Sequence, residues 1–191
     1  MTRRLTIIVL VLAALGSAGW WGVRRAAAAG DVSVGSLAPD FRAASLVPGD
    51  TSVHTLAAYR GQVVLLNLWA TWCGPCVVEM PSIQRLYDRY RSRGLRVVGV
   101  AVDDPPFADR VRAFVAEHRL TFDILHEGSG RIEQTYRSRG LPATYIIARD
   151  GRIRVIRQGA TDWDSPAHRA VIEQLLGQTS GSANMAGATR P

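Results

Sequence analysis

A chain of 191 residues, 47% hydrophobic and 20% charged, has the material for one folded core with extensions. The net charge of +7 is unevenly held: residues 1–30 contain four arginines and no acid, which leaves only +3 for everything after them. That excludes the broad basic footprint of a nucleic-acid-binding protein.

After Arg3 and Arg4 the sequence runs uncharged from Leu5 to Val23 and then meets Arg24 and Arg25. Such a run is just long enough to cross a bilayer as a helix, and Trp20-Trp21 suits a membrane interface. Small residues at Gly16-Ser17-Ala18 and Ala26 to Ala29 also allow a cleaved signal peptide. Residues 1–25 therefore read as a signal-anchor or signal peptide; the flanking arginines do not set the orientation, and both readings send the following domain out of the cytoplasm provided the N-terminus stays inside. Residues 26–33 read as a linker, 34–176 as the folded domain, and the Gly-, Ser- and Ala-rich stretch 177–191 as a disordered tail.

Within the domain, Ser52 to Leu56 alternates as a short strand and Arg60-Gly61 turns into the apolar, β-branched run Val63 to Trp69. A helix follows, with Cys76, Met80, Ile83, Leu86, Tyr87 and Tyr90 on one face and Pro81 inside it, where a kink is expected. Leu95 to Val102 is a nearly continuous apolar run, the pattern of a strand covered on both sides. Asp104-Pro105-Pro106 starts a second helix carrying Phe107, Val111, Phe114 and Val115. Phe122 to Leu125 is a short strand and Ser129 to Ser138 a short helix. Asp150-Gly151 joins Ala143 to Ala148 and Arg152 to Ile156 as a hairpin. Asp164-Ser165-Pro166 opens a last helix with Ala170, Val171, Leu175 and Leu176 as its stripe. Strands alternating with helices, then a hairpin and a helix, predict an α/β sandwich around a central mixed sheet.

The only two cysteines stand as Cys73-Gly74-Pro75-Cys76, between the Val63 to Trp69 strand and the helix after it. A strand-to-helix turn puts Cys73 where unpaired backbone N–H groups and the positive end of the helix macrodipole favour a thiolate. Cys73 is then the attacking sulfur and Cys76, one turn further in, the resolving one. A structural staple gains by closing a long loop, and this pair closes almost none. Zinc needs four ligands, and His54, His118, His126 and His168 show no paired spacing near the cysteines, so no metal and no other cofactor is expected. On a helical wheel Glu79 falls beside Cys76, Ile83 and Leu86, away from Arg85, Asp88 and Arg89. One reading is an acid stabilised by the macrodipole in the first turn. The other is a desolvated carboxyl with a raised pKa that exchanges a proton with Cys76.

Three stretches together resemble the thioredoxin superfamily, and within it the membrane-anchored TlpA/ResA-like thiol-disulfide oxidoreductases. They are Gly35 to Phe41, Arg60 to Pro81 and Gly140 to Ile147. The resemblance implies a thioredoxin-like three-layer α/β/α sandwich and a protein-disulfide reductase of the kind used in cytochrome c maturation or oxidase assembly. Its partners would be a disulfide-bearing client protein and a membrane dithiol electron donor. It further implies that Pro142 is a cis-proline facing the disulfide and that Leu141 offers its backbone to an extended client. Trp72, which unlike Trp69 lies past the strand, is expected to complete an apolar lip with them, core packing being the other reading. Thioredoxins proper carry a buried Asp on the strand before the motif; here that place holds Asn67, and the acid stands after the second cysteine, as in ResA-like proteins. A peroxiredoxin would need Pro and Thr where Leu66 and Ala70 stand. A redox-inert or metal-carrying binding module on the same fold is the alternative.

Overall fold

The computed structural model describes residues 32–47 and 49–178. The anchor or signal segment, most of the linker and nearly all of the tail lie outside them. Among the described residues no helix is long and apolar enough to cross a membrane.

The centre of the fold is a seven-stranded mixed sheet. Its strands are β1 (Arg42–Ser45), β2 (Val53–Thr55), β3 (Val63–Trp69), β4 (Leu95–Ala101), β5 (Asp123–His126), β6 (Ala143–Ile147) and β7 (Ile153–Gln158), in the order β2-β1-β5-β4-β3-β6-β7. β3 and β4 run parallel in register from Val63↔Leu95 to Trp69↔Ala101, and β4 pairs parallel with β5. All seven residues of β3 are buried, which is why its sequence lacks polar alternation: both faces meet helices or loops. β6 lies antiparallel on the other side of β3, and β6 and β7 form the expected hairpin, with Gly151 supplying a φ of 78° at its turn.

Four helices complete the described fold: α1 (Gly74–Tyr90), α2 (Ala108–Glu117), α3 (Arg131–Thr135) and α4 (Pro166–Gly177). α1 runs through Pro81 as one helix and buries the predicted face of Cys76, Met80, Ile83, Leu86, Tyr87 and Tyr90. Met80, Ile83 and Leu86 have no exposed surface, and each contributes about 1.5–3 kcal/mol by leaving water. The layers can be read from β6. Thr144 bonds to Asn67 on the face that α1 covers, while its neighbour Tyr145 points the other way and meets Tyr136, just past α3, with ring centroids 4.8 Å apart.

Several local expectations are corrected. β1 is an addition, because Arg-Ala-Ala-Ser has little strand propensity; its place comes from pairing on both sides, with β2 and β5. The strand expected at 52–56 narrows to Val53–Thr55, and Leu56–Tyr59 is a 3-10 turn. α3 is five residues long, not ten. Phe107 precedes α2 instead of lining it and is 46% exposed. α4 buries Ile172 and Leu175, and Ala170 faces solvent.

Candidate active site

The site forms at one end of the sheet because three chain segments leave the central strands there. β3 ends at Trp69 beside Ala101, the last residue of β4, and β6 begins at Ala143 opposite Leu68. The Thr71 to Cys73 turn, the loop starting at Val102 and the Leu141–Pro142 peptide therefore gather at that edge. The Leu141–Pro142 bond is cis.

Cys73 and Cys76 are joined as a disulfide with an S–S distance of 2.05 Å. Cys73 is the N-cap of α1, and its Sγ accepts the Cys76 backbone N–H at 3.2 Å. That N–H is one of the donors a helix start leaves unpaired, so the same geometry would stabilise a Cys73 thiolate on reduction. Cys73 keeps 6% of its surface exposed and Cys76 none, the order needed for one sulfur to meet a client and the other to resolve. Pro75 occupies the first turn, where its missing N–H costs nothing.

The turn before Cys73 is held from the end of β4. Asp103 is completely buried, and its carboxylate accepts the Thr71 backbone N–H at 3.1 and 3.2 Å as well as the Thr71 hydroxyl. The Asp103 carbonyl in turn bonds the His126 ring at 2.8 Å and packs against Gly128, where an added Cβ would come within 2.3 Å of it. Neither Asp103 nor Thr71 stands out in the sequence, because an Asp followed by Asp and two prolines reads as helix-start chemistry.

Glu79 is 2% exposed, in the second turn of α1, past the reach of the first-turn macrodipole. Its Oε1 accepts from Asn67 Nδ2 at 2.8 Å; its Oε2 accepts from the Trp163 Nε1–H at 3.2 Å and the Thr161 N–H at 3.3 Å. Burial raises its pKa above the usual carboxylate range, and the three donors oppose that rise without cancelling it. Glu79 also forms part of the wall of a groove of about 330 Å³, shared with Ser82, Arg85, Thr161 and Asp162. Sequence reasoning misses Trp163 and Thr161; a Trp in the polar run Gly159 to Ser165 is the available signal. Trp72 is 66% exposed, Leu141 half-buried and Pro142 buried. Among the described residues no group of three or more His, Cys, Asp or Glu side chains is placed to hold a metal ion.

Residues 34–156 match the AhpC/TSA family. The chain belongs to that family. It is 39% identical over 132 residues to a thiol-disulfide oxidoreductase ResA of Oceanobacillus iheyensis, covering 69% of this chain and 68% of that one. A ResA of Geobacillus thermodenitrificans is 35% identical over 162 residues, covering 83% and 87%. Among solved structures, a Chlorobium tepidum protein assigned as thiol:disulfide interchange protein DsbE superimposes with a TM-score of 0.69 at 28% identity, covering 77% of this chain and all of that one. The fold is thioredoxin-like. Together with the Cys73–Cys76 pair at the start of α1, these likenesses identify this member of the AhpC/TSA family as a thiol-disulfide oxidoreductase.

Proposed function

We propose that the chain reduces disulfides of client proteins on the outer side of the cytoplasmic membrane, held there by the 5–23 segment or released after its cleavage. The observation that carries the reading is the pairing of a solvent-facing turn bearing Cys73 with a buried acid, Glu79, one helical turn beyond a wholly buried Cys76.

In the reduced enzyme the Cys73 thiolate attacks one sulfur of the client disulfide. That bond breaks, a mixed disulfide forms, and the departing client sulfur takes a proton from solvent. Glu79 as carboxylate accepts the proton of the Cys76 thiol, and Cys76 attacks Cys73 Sγ. The client leaves with its second sulfur reduced, and the enzyme holds the Cys73–Cys76 disulfide. Two electrons have moved from enzyme to client, so a dithiol donor must restore the pair; a membrane dithiol carrier is the donor class the resemblance suggests, and cytochrome c maturation or oxidase assembly the setting. Trp72 and Leu141 form the surface on which the client's backbone lies, with the buried Pro142 beneath it, since a thiolate alone cannot choose among disulfides.

The test is a trap. A Cys76→Ser variant of the full chain, expressed in its own cell, should accumulate mixed disulfides through Cys73 with exported proteins, and wild-type Cys73 and Cys76 should be mostly reduced at steady state. A mostly oxidised pair would make the enzyme an oxidant, and a variant that captures nothing would favour a binding module.

A further inference from the structure

Asn67 sits in the middle of β3 and is wholly buried, yet only one end of its amide is bonded. Nδ2 donates to Glu79 Oε1 and to Thr144 Oγ1, both at 2.8 Å, while Oδ1 has no hydrogen-bond partner. Buried acceptors are rarely left this way, because their lost hydration is not returned.

The arrangement suits an ionised Glu79. A carboxylate only accepts, and this one accepts at both oxygens, from Asn67 on one and from Thr161 and Trp163 on the other. It does not suit the neutral acid, whose O–H must find an acceptor. On Oε2 that hydrogen would point at two N–H donors; on Oε1 it would point at the Asn67 NH2.

We propose that the Asn67 amide turns over when Glu79 takes up a proton, so that the acid keeps a hydrogen-bond partner in both of its charge states. After a half-turn about its terminal bond, Oδ1 stands where Nδ2 stood. It then accepts from Glu79 Oε1–H and from the Thr144 hydroxyl, which can donate as readily as it accepts. Each orientation leaves one end of the amide unpaired, so neither is locked. An ionised Asp at this place could not donate, and an apolar residue could do neither. Asn67 is thus a positioning residue that acts through Glu79 and touches no reacting sulfur in the scheme.

Few charges surround this carboxyl. Cys76 precedes it by three residues on α1 and gains a thiol on reduction. Arg85 and Asp162 share its groove and pair with each other at 3.8 Å. Asn67 from β3, Thr144 from β6, and Thr161 and Trp163 from the loop before α4 are uncharged. The inference rests on Glu79 changing its charge, and on the proposed function only for when it does so.

The experiment is a pH titration of the isotope-labelled full chain by NMR, in the disulfide form. The Glu79 carboxyl carbon and the Asn67 side-chain NH2 should move with one midpoint, and Asn67→Ala, which takes a partner from both charge states, should raise the Glu79 midpoint by less than the roughly one pH unit expected if a fixed amide donated to the carboxylate alone; a rise of that size or more overturns the proposal. Asn67 resonances that stay still while Glu79 titrates overturn the proposal, as does a Glu79 that does not titrate between about pH 4 and 10. The wild-type titration needs no substitution, so a poorly folded variant does not decide the matter. If Asn67 follows Glu79 but Glu79→Gln leaves the pH profile of exchange unchanged, the amide switch stands and the proton-transfer role falls.

Discussion

Trp163 donates its indole N–H to the Glu79 carboxyl at 3.2 Å across 84 positions of sequence. Its backbone N–H bonds Ser82 Oγ at 3.0 Å, so the loop before α4 is fastened to α1 at two successive points. The loop thereby covers an acid that a lone helix would leave open to solvent. Covering raises the pKa, and the donors that hold the carboxyl in place limit the rise.

Replacing Glu79 by Gln keeps the shape and removes the titration. Exchange with protein disulfides should slow on the order of 10²-fold, the lower end for loss of a general base, and the inflection at the raised carboxyl midpoint should vanish from the pH–rate profile. Stopped-flow kinetics from about pH 5 to 9 make the comparison. A variant with the wild-type profile would leave Glu79 a structural residue.

The same raised pKa makes stability depend on pH. The folded state holds the Glu79 proton more tightly than the unfolded chain, so the acid's penalty is absent below the ordinary carboxylate pKa. It grows as pH rises from there to the raised midpoint, by about 1.4 kcal/mol for each pH unit crossed, and then levels off. Denaturant unfolding of the oxidised protein should show this decline, and Glu79→Gln should flatten it.

Trp72 offers a large apolar face with 66% of its surface exposed. Trp72→Ala should change stability by less than about 0.5 kcal/mol, as at other surface sites, while slowing exchange with protein disulfides about tenfold. Equal slowing with a small disulfide such as oxidised glutathione would argue against a role in choosing clients.

Gly74-Pro75 between the cysteines is the dipeptide of thioredoxin, whose potential is about −270 mV, against about −120 mV for the strong oxidant DsbA. Equilibration with glutathione buffers should place the Cys73–Cys76 couple nearer the first value. A potential above about −180 mV would remove the case for a reductant.

Asp103 supports the turn that carries Cys73 through Thr71. Asp103→Ala leaves the Thr71 N–H without its acceptor and should cost about 2–3 kcal/mol in urea unfolding, with slower exchange at Cys73. Gly128→Ala should damage the same turn from behind, because its Cβ meets the Asp103 carbonyl, a backbone atom that cannot step aside.

What the chain declares on its own is local and periodic. The β3 run, the buried face of α1, the Asp150-Gly151 turn and the Cys73 to Cys76 spacing are each legible because one element's sequence carries the whole signal. Glu79 is legible for the same reason, as an acid on an apolar helical face. Its surroundings are not. Asn67 is marked only by its place in the resemblance; Thr161 and Trp163, which also donate to the carboxyl, and Thr144, which bonds Asn67, come from a loop and a strand up to 84 positions away, and nothing in their own neighbourhoods requires these contacts. β1 and the Asp103–Thr71 contact belong with them: a weak strand and an ordinary-looking Asp that only pairing across the sheet gives a purpose. Which residues are candidates for chemistry could be read from residue type and spacing. Which of them are desolvated, and by whom they are held, was decided by packing, because burial and hydrogen-bond partners are properties of a place in the fold and not of the segment that reaches it.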